Sequence, residues 1–116
     1  MLAKENRLKR KKDFEKLFKE GKSFREKFLV LKINKNNLNS NRFGFIVSKK
    51  VSKKAPVRNK IKRRLREIVR KEIDNYQKGF DVAIIALPGT VLKDFKEIDQ
   101  ALTSALKKIK ILNYDQ

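Results

Sequence analysis

The sequence predicts an α+β fold: a two-layer sandwich of a small mixed four-stranded sheet with helices packed on it, in the order αββ(β)αβα. Three features carry that reading. Two amphipathic helical repeats lie in the second half of the chain, a near-continuous apolar run separates them, and alternating apolar segments precede the first. With 116 residues there is room for one core. Residues 1–116 therefore read as a single domain, with the basic residues 1–10 as a flexible N-terminal segment.

Each element has a local reason. From Lys11 to Glu20, Phe14, Leu17 and Phe18 fall at i, i+3 and i+4, and Gly21 offers a helix stop. "FREKFLVLKI" (24–33) reads as one strand, with Phe28, Val30 and Lys32 on one face and Leu29, Leu31 and Ile33 on the other. The Asn-rich "NKNNLNSN" (34–41) is a loop. "RFGFIVSKK" (42–50) then sets Phe43, Phe45 and Val47 opposite Gly44, Ile46 and Ser48, and these two strands are expected to pair as a hairpin. A helix runs from Pro56 to about Asn75 and ends near Gly79. "FDVAIIAL" (80–87) is a buried strand closed by Pro88 and Gly89. Val91, Phe95, Ile98, Leu102, Ala105, Leu106 and Ile109 keep helical spacing to the end, with Asp94 and Glu97 placed for a capping box.

Composition narrows the function. Lys and Arg number 32 against 13 Asp and Glu, a formal charge of +19, which opposes compaction by self-repulsion unless a polyanion is the usual partner. A hydrophobic share of 40% with eight Phe distinguishes the chain from a disordered basic tail. There is no Cys and no His, which removes disulfides, thiol nucleophiles, imidazole acid-base chemistry and the usual zinc sites. The opening "MLAKENRLKRKK" has no apolar core of a signal sequence, and no apolar run reaches the ~20 residues that span a bilayer. A cytoplasmic protein is expected.

The charge concentrates in "APVRNKIKRRLR" (55–66), where Arg58, Lys60, Lys62, Arg63, Arg64 and Arg66 lie within twelve positions. On a helical wheel Val57, Ile61, Leu65, Ile68, Val69 and Ile73 gather on one side, and Asn59, Arg63, Arg66 and Arg70 fall within roughly a 60° arc opposite. Most helical charge runs are solvated faces of mixed sign. Here Glu67 is the only acid from Val57 to Lys71, so i,i+4 pairing cannot offset the repulsion and an anionic ligand is favoured. Arginine dominates the stripe, and its guanidinium binds phosphate oxygens in a two-pronged fashion. Pro56 suits the start of the helix while Ala55 cannot cap it, leaving N–H groups open beside Lys53 and Lys54. Those donors serve either water or a phosphate.

Written out as Ala55, Arg58, Asn59, Lys60, Ile61, Lys62, Arg63, Leu65 and Arg66, the pattern resembles the signature of the bacterial ribonuclease P protein components. The resemblance extends over "NRLKRKKDFEKLFKEGKS", "RFGFIVSKKV" and the closing strand and helix. It implies a small α/β protein with a left-handed βαβ crossover that joins a catalytic RNA and the precursor tRNA whose 5′ leader that RNA removes. No catalytic residue and no metal fall to the protein alone; Mg2+ is expected in the RNA–protein assembly. By the same resemblance Arg58, Asn59, Lys60, Lys62, Arg63 and Arg66 would contact the catalytic RNA, with Arg58 and Asn59 near a metal. A leader cleft would involve Phe14 and Phe18 with Lys49 and Lys50. Helical spacing alone makes the two Phe ordinary core residues. The chain departs from the family at Lys60, where an arginine is usual, and at Ser52 to Lys54, where many members carry a glycine.

Other readings share parts of this pattern. A ribosomal RNA-binding protein would have the same charge and size. A free-standing nuclease would need Asp13, Glu15, Glu67 or Asp81 as metal ligands, and no two of these form a metal-site motif. A helix entering a DNA groove lacks a helix-turn-helix partner, and a membrane-adsorbed helix would need the apolar face that the core requires.

Overall fold

The computed structural model describes residues 2–109; Met1 and residues 110–116 of the expected domain lie outside it. Helix α1 (Lys11–Glu20) is followed by strands β1 (Lys22–Glu26), β2 (Leu29–Lys35) and β3 (Arg42–Val47), helix α2 (Ala55–Lys71), strand β4 (Phe80–Ala86) and helix α3 (Phe95–Lys108). Short 3-10 turns occupy Lys4–Asn6, Ile73–Asn75 and Pro88–Leu92. The four strands form one mixed sheet in the order β1-β2-β4-β3, with β3 and β4 parallel and the other neighbours antiparallel. This is the expected α+β architecture.

Alternation along the strands makes two layers. Leu29, Leu31, Phe43, Val47, Val82, Ile84 and Ala86 point to one face, where they join Ile61, Leu65, Ile68 and Val69 of α2 and Ile98, Leu102, Ala105 and Leu106 of α3 in the main core. Ala83, between Val82 and Ile84, points the other way and forms a second cluster with Leu8 and Leu17. Helix α1 therefore lies alone on the opposite face. Tyr76 closes the main core: its ring lies 5.3 Å from Phe43, and its hydroxyl donates to the Val69 carbonyl at 2.9 Å. Burial pushes that hydroxyl above the ordinary tyrosine range.

Several details differ from the sequence reading. The 24–33 run is not one strand. It breaks at Lys27, whose φ of 54° makes a two-residue turn between Glu26 and Leu29. That turn shifts the alternation, so Phe28 is buried in the core and does not share a face with Val30 and Lys32. The expected hairpin with residues 42–50 is absent because β4 lies between β2 and β3; the actual hairpin is β1–β2. Val91 is in the 3-10 turn and exposed, since Asp94 starts α3 by the capping box: Glu97 N donates to Asp94 Oδ1 at 2.8 Å and Asp94 N to Glu97 Oε1 at 3.2 Å. Helix α2 stops at Lys71, short of the expected Asn75, and Ile73–Asn75 form a separate 3-10 turn. Gly21 ends α1 as expected, with extended backbone, and a Cβ there would lie 2.5 Å from the Leu17 carbonyl oxygen.

Residues 2–10 lie against the sheet. Leu2 and Leu8 are buried, Arg7 bridges to Phe43, and the Leu8 amide donates to the Phe43 carbonyl at 2.9 Å, which covers the outer edge of β3. At the opposite edge, Glu26 of β1 accepts from Lys108 of α3 at 3.0 Å and from Ser104 at 3.3 Å. The Lys108 hydrogen bond holds the Glu26 carboxyl below its ordinary range. A carboxyl with a depressed folded pKa stabilises the fold above its unfolded pKa of ~4.3, and that contribution fades as pH falls through the folded value. Glu26→Gln is accordingly expected to flatten the loss of thermal stability between about pH 5 and pH 3. An unchanged acid limb of the melting profile would show that the pair contributes nothing.

Candidate nucleic-acid interface

Helix α2 presents its charge as the wheel requires. Ile61, Leu65, Ile68 and Val69 are buried, while Asn59, Lys60, Arg63 and Arg70 are exposed and Lys62, Arg64 and Arg66 half-buried. No acid sits in its first turn, and Lys54 at the N-cap position makes no side-chain capping bond. The turn before it is built without any positive φ. Val51 is buried as its anchor; the Ser48 hydroxyl accepts from Lys50 N and the Ser52 hydroxyl from Lys54 N, each at 3.2 Å. Lys49, Lys50, Lys53 and Lys54 are all exposed on it. Arg58 differs from its neighbours: its guanidinium donates to the Ser52 carbonyl at 3.0 Å, so one prong fastens the turn to the helix.

The opposite sheet face is only partly covered. Phe14 of α1 is half-buried against Gly44, and its ring stacks on Phe18 with centroids 6.3 Å apart and an angle of 26°. Phe18 itself is 40% exposed, so one of the two aromatics is available to a partner and the other supports it. Beyond α1 the cross-strand row Val30, Ile85 and Ile46 is half-exposed and ends at the exposed Arg25 of β1. Lys32 lies in the adjacent row with Ala83 and Gly44. These sheet residues are not among the sequence candidates. The available signal is Lys32 itself, a cation inside an apolar strand, which marks its face as the open one.

Residues Lys49 and Lys50 follow the C-terminal end of β3, just past Ile46, so the strand that carries the bed of Phe14 leads directly into the basic turn and α2. The site thus combines an aromatic pair, an apolar sheet strip and clustered cations, a combination suited to unpaired bases and their phosphates. Of the acids weighed as metal ligands, Asp13 and Asp81 converge on the Arg42 guanidinium. Asp81 accepts two bonds from Arg42, at 2.8 and 2.7 Å, and one from Asn36 at 2.9 Å; Asp13 accepts from Arg42 at 3.2 Å. Among the described residues no group of three or more Asp or Glu side chains could hold a metal ion. With Asp13 and Asp81 both held by Arg42, no step is assigned to a metal on the protein.

The family model described as Ribonuclease P matches residues 2–110. The chain belongs to the ribonuclease P protein family. It is 43% identical to the ribonuclease P protein component of Clostridium botulinum strain 657 over 95% of its length and 99% of that protein's. With the ribonuclease P protein component of Clostridioides difficile it shares 41% identity, over 90% of this chain and 91% of the other. The solved ribonuclease P protein of Staphylococcus aureus superposes with a TM-score of 0.87 at 30% identity, covering 93% of this chain and 98% of that one. That of Thermotoga maritima gives 0.80 at 36%, covering 88% and 96%. Family membership fixes the broad role, a protein component of ribonuclease P that binds RNA in tRNA processing.

Proposed function

We propose that the chain binds the catalytic RNA of ribonuclease P through the basic face of α2 and holds the 5′ leader of precursor tRNA on the open sheet face beside α1. The RNA carries the hydrolysis, magnesium is held by RNA, and the assembly works in the cytoplasm. No described helix is long and apolar enough to cross a membrane.

The observation that carries this reading is the half-exposed Phe14–Phe18 stack on the same sheet face as a half-exposed, cation-bordered strip. Stacking on an aromatic is worth roughly 1–3 kcal/mol per base and is indifferent to sequence, as binding of varied leaders requires. Arg63, Arg66 and Arg70 on α2, with Asn59 and Lys60 beside them, would meet RNA phosphates; Lys62, Lys53 and Lys54 flank them, and Lys49 and Lys50 serve the leader side. Arg58, with one prong held by the Ser52 carbonyl, offers its remaining donors to RNA. The +19 charge lowers the repulsion between two polyanions and so the magnesium needed to bring them together.

The test is cleavage of a leader-bearing precursor tRNA at low magnesium by the protein, a bacterial ribonuclease P RNA, and the two mixed. Accurate leader removal only in the mixture is expected. Cleavage by the protein alone would place the chemistry in the protein, and a mixture no better than RNA alone, with RNA tightly bound, would favour a structural RNA-binding role.

A further inference from the structure

The geometry points to Gly44 as a positioning residue that sets the depth of the aromatic pair, and so decides how the leader is received. The inference rests on the leader-binding reading above and deepens it.

Gly44 is a mid-strand residue of β3 with no positive φ, so backbone conformation does not call for glycine there. A glycine in a strand interior weakens the strand unless something approaches closely. What approaches is Phe14. A Cβ on residue 44 would lie 2.4 Å from Phe14 Cζ and 2.6 Å from Cε1, and 3.4 Å from Leu8 Cβ. The cross-strand neighbour of Gly44 in the same row is Ala83, fully buried beneath α1. The rows on either side carry much larger groups: Ile46 and Ile85 on one side, Arg42 and Asp81 on the other. Gly44 and Ala83 therefore form a depression one side chain wide, and the Phe14 ring occupies it.

The position of the ring matters because Phe14 supports Phe18. With Phe14 sunk against the sheet, the pair stacks at 26° and Phe18 is held exposed on the α1 side of the sheet, the side that carries the open strip of Val30, Ile85 and Ile46. Arg42 fixes the helix at this height: it joins Asp13, the residue before Phe14, to Asp81 on β4. A Cβ at position 44 would lie under 3.0 Å from the ring, so the ring must move away from the sheet or turn aside. Either movement tilts or separates the stack. Gly44 acts on the leader only through Phe14, which distinguishes it from a residue that contacts RNA.

The experiment uses the reconstituted RNA–protein assembly and the affinity ratio between a precursor tRNA with a leader of about eight nucleotides and the same tRNA without one. Gly44→Ala is expected to lower that ratio about tenfold, within the range that loss of one stacked base allows. Phe14→Ala should lower it at least as far, and Gly44→Ala combined with Phe14→Ala no further than Phe14→Ala alone, since the two act through one ring. If Phe14→Ala lowers the ratio while Gly44→Ala leaves it intact, the role given to Gly44 is wrong and the cleft stands; if neither changes it, the leader-binding reading itself fails. Loss of both affinities in parallel by Gly44→Ala would mark a merely structural glycine. Should Gly44→Ala fold poorly, Phe14→Leu by itself and Phe14→Leu combined with Gly44→Ala give the comparison. The smaller side chain relieves the clash, so equal melting temperatures and equal ratios are expected, and a further fall in ratio on adding Gly44→Ala would overturn the assignment.

Discussion

Replacing Arg63, Arg66 and Arg70 together by Ala is expected to weaken binding of ribonuclease P RNA on the order of 100-fold, taking ~1 kcal/mol for each solvent-screened phosphate contact that the variant cannot make. The mark of the mechanism is the salt dependence. Each neutralised phosphate contributes about 0.7–0.9 to the slope of log affinity against log salt, so the triple variant should be shallower by about 2 to 3. The three side chains share one face of α2, opposite the buried Ile61, Leu65 and Ile68, so the core is untouched. Ala is also a better helix former, and removing three like charges relieves repulsion beside a single acid, Glu67. The melting temperature should therefore hold or rise while affinity falls. An unchanged salt slope would mean that this face is turned away from the RNA.

The second large effect belongs to Arg42. Its guanidinium makes a forked pair with Asp81 and a third bond to Asp13, with 23% of the Arg42 side chain and 11% of the Asp81 side chain exposed. The Asp81 hydrogen bonds raise the Arg42 pKa above its already high ordinary value, so the guanidinium stays charged. Asp81→Ala leaves the half-buried Arg42 cation with only its 3.2 Å bond to Asp13 and removes an acceptor used by Asn36. Breaking a fully buried pair from one side costs ~3–5 kcal/mol; with some solvent screening here, about 2–4 is expected. Thermal unfolding should shift down by about 10 °C. Arg42→Leu added to Asp81→Leu should recover much of that loss, because the least exposed charges are removed together and only the more exposed Asp13 loses its partner. If the double variant melts no higher than Asp81→Ala, the cost arises from packing instead.

The pattern of what the sequence could reveal follows the range of each interaction. Helices α2 and α3 are legible because their apolar spacing and the Asp94–Glu97 box are local, and β4 because a run of seven residues buried or nearly so leaves no other reading. The turn at Lys27 is not legible, since lysine gives no signal for a positive φ. Strand order is equally hidden: β2 would pair with the next strand by default, yet the strand that reaches its side is the last one. For the site, the arginine face of α2 follows from periodicity, but the fate of Phe14, Leu17 and Phe18 does not. All three fall on one helical stripe, and only Leu17 is fully buried. The difference depends on how far α1 reaches across the sheet, which is set by Gly44, Ala83 and Arg42 from distant segments. Arg58 reads as a free cation in the sequence and proves to be tied to a carbonyl six residues earlier, a bond that only the folded turn reveals.

The position of β4 between β2 and β3 also governs how the molecule comes into being on the ribosome. A chain emerging from its N-terminus exposes β2 and β3 long before their shared neighbour exists, and neither can pair with the other in the native order. Helix α2 is likewise made before the strand that completes the surface it docks on. Only when Ala86 has cleared the exit tunnel can the sheet close, which delays folding of everything made before it and leaves the most cationic segment unsheltered beside ribosomal RNA until that strand has emerged.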